Sequence, residues 1–202
     1  EIHAVELNPQ VVELVSKDFG EFSGALYNHE RVQLHTAEGR GFISARDTRY
    51  DLIQLALQDS AGASSAGLYA LSESYLYTRE ALRTYLDHLT PGGYLAISRW
   101  IKLPPRDTLK LFVTAAEALR RTGMENPGKQ MILIRGWQTS TLLVKNGEFT
   151  ADEIGAMRDF SRQRAFDVAW YPGISVDEPN RFNILKEPYL YQAAQAHEEL
   201  MK

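Results

Sequence analysis

Three acidic residues sit just past segments that read as short apolar strands, and carboxylates placed there can hold a nucleoside. Glu6 follows residues 2–5, Glu38 follows residues 31–36 and precedes Gly39, and Asp59 follows residues 50–57 through Gln58. In α/β nucleotide-binding domains the ligand lies at the carboxyl ends of the strands, where an acidic residue accepts hydrogen bonds from ribose hydroxyls. Glu6 suits that task. A carboxylate at Glu38 could accept from an adenine amine, and Asp59 stands on a Ser-, Ala- and Gly-rich loop loose enough to close over a substrate. Each residue also has a plainer reading. Glu6 can favour a helix start electrostatically, Glu38 can be a solvated turn residue, and Asp59 with Ser60 can cap a loop. Three carboxylates at three successive strand ends form a stronger signal than any one alone.

The elements that must position them are written in the same pattern. Asn8 can cap a helix with Pro9 at its first position, and Val11, Val12, Leu14 and Val15 give that helix an apolar face. Glu38-Gly39-Arg40-Gly41 turns into a short helix carrying Phe42 and Ile43. The third strand is almost wholly apolar, as expected when helices cover both faces. Thr78 caps a helix to Leu89, with Ala81, Leu82, Tyr85, Leu86 and Leu89 on one stripe. Thr90-Pro91-Gly92-Gly93 forms a tight turn into a strand over 94–98. A helix over 106–121 follows, then strands over 130–135 and 139–145 joined through Gly136-Trp137. Thr150 caps a helix ending near Arg164. From Phe166 the chain is rich in Pro, Asn and aromatic residues, and it ends in a helix over 189–201. Strand–helix alternation implies a Rossmann-like α/β fold, a mainly parallel sheet with helices on both faces and an antiparallel terminal strand pair. Residues 1–148 make the domain and 149–202 its C-terminal helical extension.

Composition closes off other classes. The 202 residues are 44% apolar, enough for one real core, and the net charge of -4 lacks the basic excess of a nucleic-acid binder. No apolar run approaches the roughly 18 residues of a membrane span, so a soluble, cytoplasmic piece is expected. Without cysteine there is no disulfide, thiolate metal site or cysteine nucleophile. The five histidines (His3, His29, His35, His88 and His197) show no metal-ligand spacing, and no metal is expected.

Several of these segments resemble the spermidine and spermine synthase family, within the S-adenosylmethionine-dependent transferase superfamily. Val5-Glu6-Leu7-Asn8-Pro9-Gln10-Val11-Val12 is similar to its "vEiDxxVi" element. Arg31 through Ile43 is similar to "RvxvxxxDGrxfl", and Tyr50-Asp51-Leu52-Ile53 to "YDvIi". Leu76-Tyr77-Thr78 through Gly93 is similar to the helix and "LkpgG" turn that follow. The resemblance covers about residues 1–145. It implies S-adenosylmethionine or decarboxylated S-adenosylmethionine as cofactor, with Glu6 on the ribose and Glu38 and Gly39 at the adenine. It implies aminopropyl or methyl transfer to a small amine or other small acceptor, with Asp59 orienting or activating it. The aromatic group Tyr69, Tyr75, Tyr77 and Tyr85 falls where the family lines its amine channel, although core or rim positions suit these rings as well. Arg99 borders the same cleft, where it could meet a substrate carboxylate or pair with Asp107. A homo-oligomer is a further expectation. Trp170–Gly173 and Asn180–Asn183 resemble large bacterial relatives in which such a domain is joined to membrane helices.

The departures from the pattern carry as much meaning. Glu38 stands where the family usually has Asp. In "YDvIivDssDP" the first Asp helps deprotonate the attacking amine, and register puts Ala56 there, with Asp59 on the second Asp. Alanine cannot take a proton, and amine attack needs the neutral amine. The family's first strand and Gly-rich turn would precede Glu1. The chain therefore reads as a piece of a longer protein whose sheet must close a gap, pair differently or borrow a strand, with weak or no cofactor binding by itself. A catalytically silent domain for ligand sensing or assembly is the alternative reading.

Overall fold

The structure, a computed structural model, describes residues 1–57 and 75–200. The chain divides into two compact units, Glu1–Thr48 and Arg49–Lys202. Asp59, Gln58 and Tyr69 lie outside the described residues.

In the first unit β1 (Ile2–Glu6) pairs in parallel with β2 (Val32–Thr36), His3 opposite Gln33 and Glu6 opposite Thr36. Helix α1 (Pro9–Glu13) begins as its sequence dictates. The Asn8 side chain accepts the Gln10 N–H at 2.9 Å, and proline fills the first turn, where no N–H is needed. The helix then widens into a π-helical turn over Leu14–Asp18. Helix α2 (Gly39–Ser44) follows β2 with Glu38 as its cap. Phe42 is the one buried side chain among the described residues of this unit. The face expected to bury Val11 and Leu14 leaves both exposed within the unit, and Phe19, Phe22 and Leu26 are exposed with them. Two strands and two short helices have too little surface to cover that face, and a two-stranded sheet is marginal by itself.

The second unit holds a mixed five-stranded sheet in the order β3-β4-β6-β5-β7. Strand β3 (Tyr50–Leu55) runs parallel to β4 (Leu89–Trp100), while β6 (Thr139–Lys145), β5 (Met131–Arg135) and β7 (Asp167–Trp170) pair antiparallel. Strands β1 and β2 form one sheet, and β3 is an edge strand of the other. Thr90-Pro91-Gly92-Gly93 is an irregularity inside a longer β4 rather than a turn before it, and the register against β3 shifts there. Gly92 sits at φ +79°, and a Cβ on Gly93 would lie 3.0 Å from both the Thr90 and Tyr50 carbonyl oxygens, so both positions require glycine.

Helix α3 (Arg79–Asp87) is capped by the Thr78 side chain and buries Ala81, Leu82, Tyr85 and Leu86. Helix α4 (Arg106–Arg120) buries Leu111, Phe112, Ala115 and Leu119. Helix α5 (Ala151–Gln163) starts with a reciprocal capping box between Thr150 and Glu153. Helix α6 (Tyr189–Leu200) closes the chain. No helix among the described residues is long and apolar enough to cross a membrane.

Strand β7 lies in the segment that reads as irregular from Phe166 onward. It escapes a pattern reading because it is four residues long and opens on a buried charge. Asp167 is 1% exposed, and its carboxylate accepts the backbone N–H groups of Arg181 (2.5 Å), Phe182 (3.0 Å) and Asn183 (2.7 Å). Arg135, also buried, lies 3.3 Å from it and also donates to the Asn180 side chain. Burial pushes the Asp167 carboxyl up, but the three backbone donors and the Arg135 charge outweigh it and hold it below its ordinary value. This clasp gives Asn180–Asn183 a purpose within the fold.

A second charged cluster ties α5 to the sheet. Lys145, 8% exposed, donates to both Glu153 oxygens at 2.6 and 2.7 Å, and the Tyr94 hydroxyl donates to the same carboxylate. The Lys145 bond, the Thr150 N–H and the Tyr94 hydroxyl hold Glu153 at about 2, and the bond to Glu153 pushes Tyr94 up to about 12. A carboxyl depressed in the folded state stabilises the protein above its unfolded value and loses that contribution as pH falls towards the folded one. Glu153→Gln should therefore remove part of the acid sensitivity between about pH 4.5 and 2 and cost about 2 kcal/mol at neutral pH in urea unfolding. Asp167→Ala, which strands Arg135 without its counter-charge, should cost about 3–5 kcal/mol in the same measurement.

Candidate nucleoside site

The parallel ladder decides where the two candidate carboxylates fall. Glu6 ends β1 opposite Thr36, and Glu38 lies two residues further along the neighbouring chain. The Ala37 N–H donates to the Glu6 carbonyl oxygen at 3.0 Å, so the chain leaves both strands side by side. Both acidic residues therefore sit at the carboxyl edge of one two-stranded sheet, as the sequence predicts.

Each carboxylate also performs the local task of its plainer reading. Glu6 Oε1 accepts the Asn8 N–H at 2.8 Å and fixes the turn into α1, while Oε2 has no partner among the described residues. Glu38 caps α2, with Oε1 accepting from Arg40 (2.9 Å) and Oε2 from Gly41 (2.6 Å). A Cβ on Gly41 would lie 3.2 Å from Oε2, so glycine keeps this cap tight. A carboxylate oxygen has two lone pairs. Glu38 can thus still accept from a ligand, and capping holds its side chain in one orientation. Gly39 opens α2 directly behind it.

Within the same unit Leu34, His35, Thr36, Glu38, Phe42 and Arg46 line an open concavity of about 520 Å³, a size that suits a small molecule. Arg46 stacks its guanidinium 3.6 Å from the Phe42 ring centroid. His35, Phe42 and Arg46 do not announce themselves in the sequence as site residues. Their only signal is their register relative to Glu38.

In the second unit Ala56 follows the last residue of β3 and is exposed. Ala56 therefore presents a methyl group at the carboxyl end of β3. Tyr85 and Tyr77 are buried, whereas Tyr75 is 64% exposed. The Arg99 guanidinium lies 4.2 Å from the centre of the Tyr77 ring. Among the described residues no cluster of three or more His, Asp or Glu side chains can hold a metal ion.

Parallel strands feeding helices, with an antiparallel continuation of the sheet, define the Rossmann-like fold of S-adenosylmethionine-dependent transferases. Residues 1–99 match the Spermine/spermidine synthase domain family. No curated protein matches the chain. Solved structures share the fold at low identity. A spermidine synthase in complex with the transition-state analogue AdoDATO is 14% identical with a TM-score of 0.51, over 95% of this chain and 56% of that one. A probable spermidine synthase from Corynebacterium glutamicum is 16% identical, TM-score 0.50, over 80% and 53%. Human methyltransferase-like protein 13 in complex with SAH is 14% identical, TM-score 0.51, over 80% and 69%. The chain spans little more than half the length of the two spermidine synthases.

Glu38→Ala should release the first turn of α2. The amides of Arg40 and Gly41 should then exchange faster with solvent, reflecting the loss of about 1 kcal/mol of capping.

Proposed function

We propose that this domain binds the nucleoside of an S-adenosylmethionine-type cofactor and transfers a group from it, aminopropyl or methyl, to a small amine or other small acceptor. The observation that carries the reading is the placement of Glu6 and Glu38 at the carboxyl ends of two paired parallel strands. Glu6 Oε2 would accept from the ribose hydroxyls. Glu38, oriented by its own helix, would accept from the adenine amine, with Gly39 beside it. The cofactor supplies the electrophilic carbon attached to its sulfonium. The chain's part is to fix the nucleoside, and Asp59 is assigned to orienting the acceptor. The SAH and AdoDATO complexes of proteins with this fold support a nucleoside analogue as the ligand class.

Ala56 favours a second reading, in which the domain is catalytically silent and keeps the fold for ligand sensing or for assembly. Without a carboxylate at that position, a protonated amine meets no base at the end of β3.

Calorimetric titration of methylthioadenosine into the full-length protein tests the first reading. Binding should weaken about tenfold or more in Glu6→Ala, the loss of a hydrogen bond to a charged acceptor. Unchanged affinity would remove Glu6 from the site. Absence of binding by folded protein would leave only the silent reading. Ala56→Asp separates the two readings further, because aminopropyl transfer gained by this variant would identify a transferase lacking only its base.

A further inference from the structure

His3 on β1 and His35 on β2 lie three residues before Glu6 and Glu38, respectively, and they touch. Their Nδ1 and Nε2 atoms are 3.0 Å apart. The ring centroids are 5.1 Å apart and the planes differ by 7°. That separation is close to the nitrogen–nitrogen distance plus a ring radius at each end. The two imidazoles therefore lie nearly edge to edge in one plane, as an N–H···N bond requires. The Phe42 ring packs against both, at 5.9 and 4.5 Å. We propose that His3 and His35 are a positioning pair: their shared proton fastens β1 to β2 in the register that aligns Glu6 with Glu38, and protonation of both rings releases it.

The bond needs one lone pair, so it survives while either ring is neutral. The surrounding charges make the second proton the costly one. Glu1 lies 3.9 Å from His3 Nε2. Burial, His3 and Arg46, in that order, push His35 below its ordinary value, and Glu38 lines the same concavity. A histidine depressed in the folded state costs stability as pH falls below its unfolded value. In a unit with one buried side chain little else resists that loss. The link to nucleoside affinity rests on the function proposed above; the fastening does not.

The test is a nuclear magnetic resonance titration of the histidine rings and of the β1 and β2 amides between about pH 7.5 and 5, repeated as methylthioadenosine affinity against pH. The pair predicts coupled ring titrations, β1 and β2 amides that move with the second proton, and affinity falling by up to about tenfold per pH unit on the acid side. His35→Gln supplies a fixed amide partner and should flatten both profiles. His35→Phe keeps the ring and loses the bond, so its strand amides should sit at the acid-form positions at neutral pH. Independent titration of the two rings, or strand amides indifferent to it, would overturn the pair. Coupled titration with affinity flat across the range would overturn its link to the site. Absence of nucleoside binding at every pH, with coupled titration intact, would support the fastening and count against the proposed function.

Discussion

The parallel pairing of β1 with β2 is the constraint on which the functional reading depends. Five paired residues align the strands, and every feature of the candidate site inherits its place from that register. A shift of one residue would turn each β2 side chain to the other face. It would part His35 from His3 and Phe42 and move the start of α2 relative to Glu6. Beyond the ladder, the register is tied by the imidazole pair, a hydrogen bond from the Gln33 side chain to Glu1 and one buried phenylalanine. The second unit is different in kind. Its sheet core includes fully buried Leu95, Ile97, Met131, Ile132, Leu142 and Val144, and two charged clusters pin its periphery.

The carboxylates show how structural and functional demands coincide. Capping holds Glu38 against the first turn of α2, and the Asn8 N–H holds Glu6 against the turn into α1. Each remains able to accept further hydrogen bonds. A side chain already fixed by its own backbone loses little conformational freedom when a ligand arrives, which is the sense of preorganisation. The plain reading and the functional one therefore describe the same geometry.

Much of this was legible in the sequence where local rules govern. Asn8-Pro9, Thr78 and Thr150 announce helix starts that the structure realises at the expected residues. The apolar runs at β5 and β6 mark buried strands, whereas β3, expected to be covered on both faces, buries Ile53 and Leu55 and leaves Leu52 exposed; the motifs around Glu6 and Glu38 carry the family resemblance. What stayed hidden depends on partners distant in sequence. Strand β7 is stabilised by Arg135, 32 residues before Asp167, and by a loop 14 to 16 residues after it. The contact between His3 and His35 exists only once the strands are in register. The apolar residues of α1 keep the right periodicity, yet Val11 and Leu14 find no cover within their unit, because periodicity states which face seeks burial and not what will bury it.

Mapping methylthioadenosine onto the full-length protein by backbone chemical-shift perturbation tests the central claim most directly. The β1–β2 edge predicts that perturbations concentrate on Glu6–Asn8 and on the segment from Thr36 to Phe42, with β5 and β7 unmoved. Saturable perturbations confined to the second unit, with those two segments silent, would contradict it.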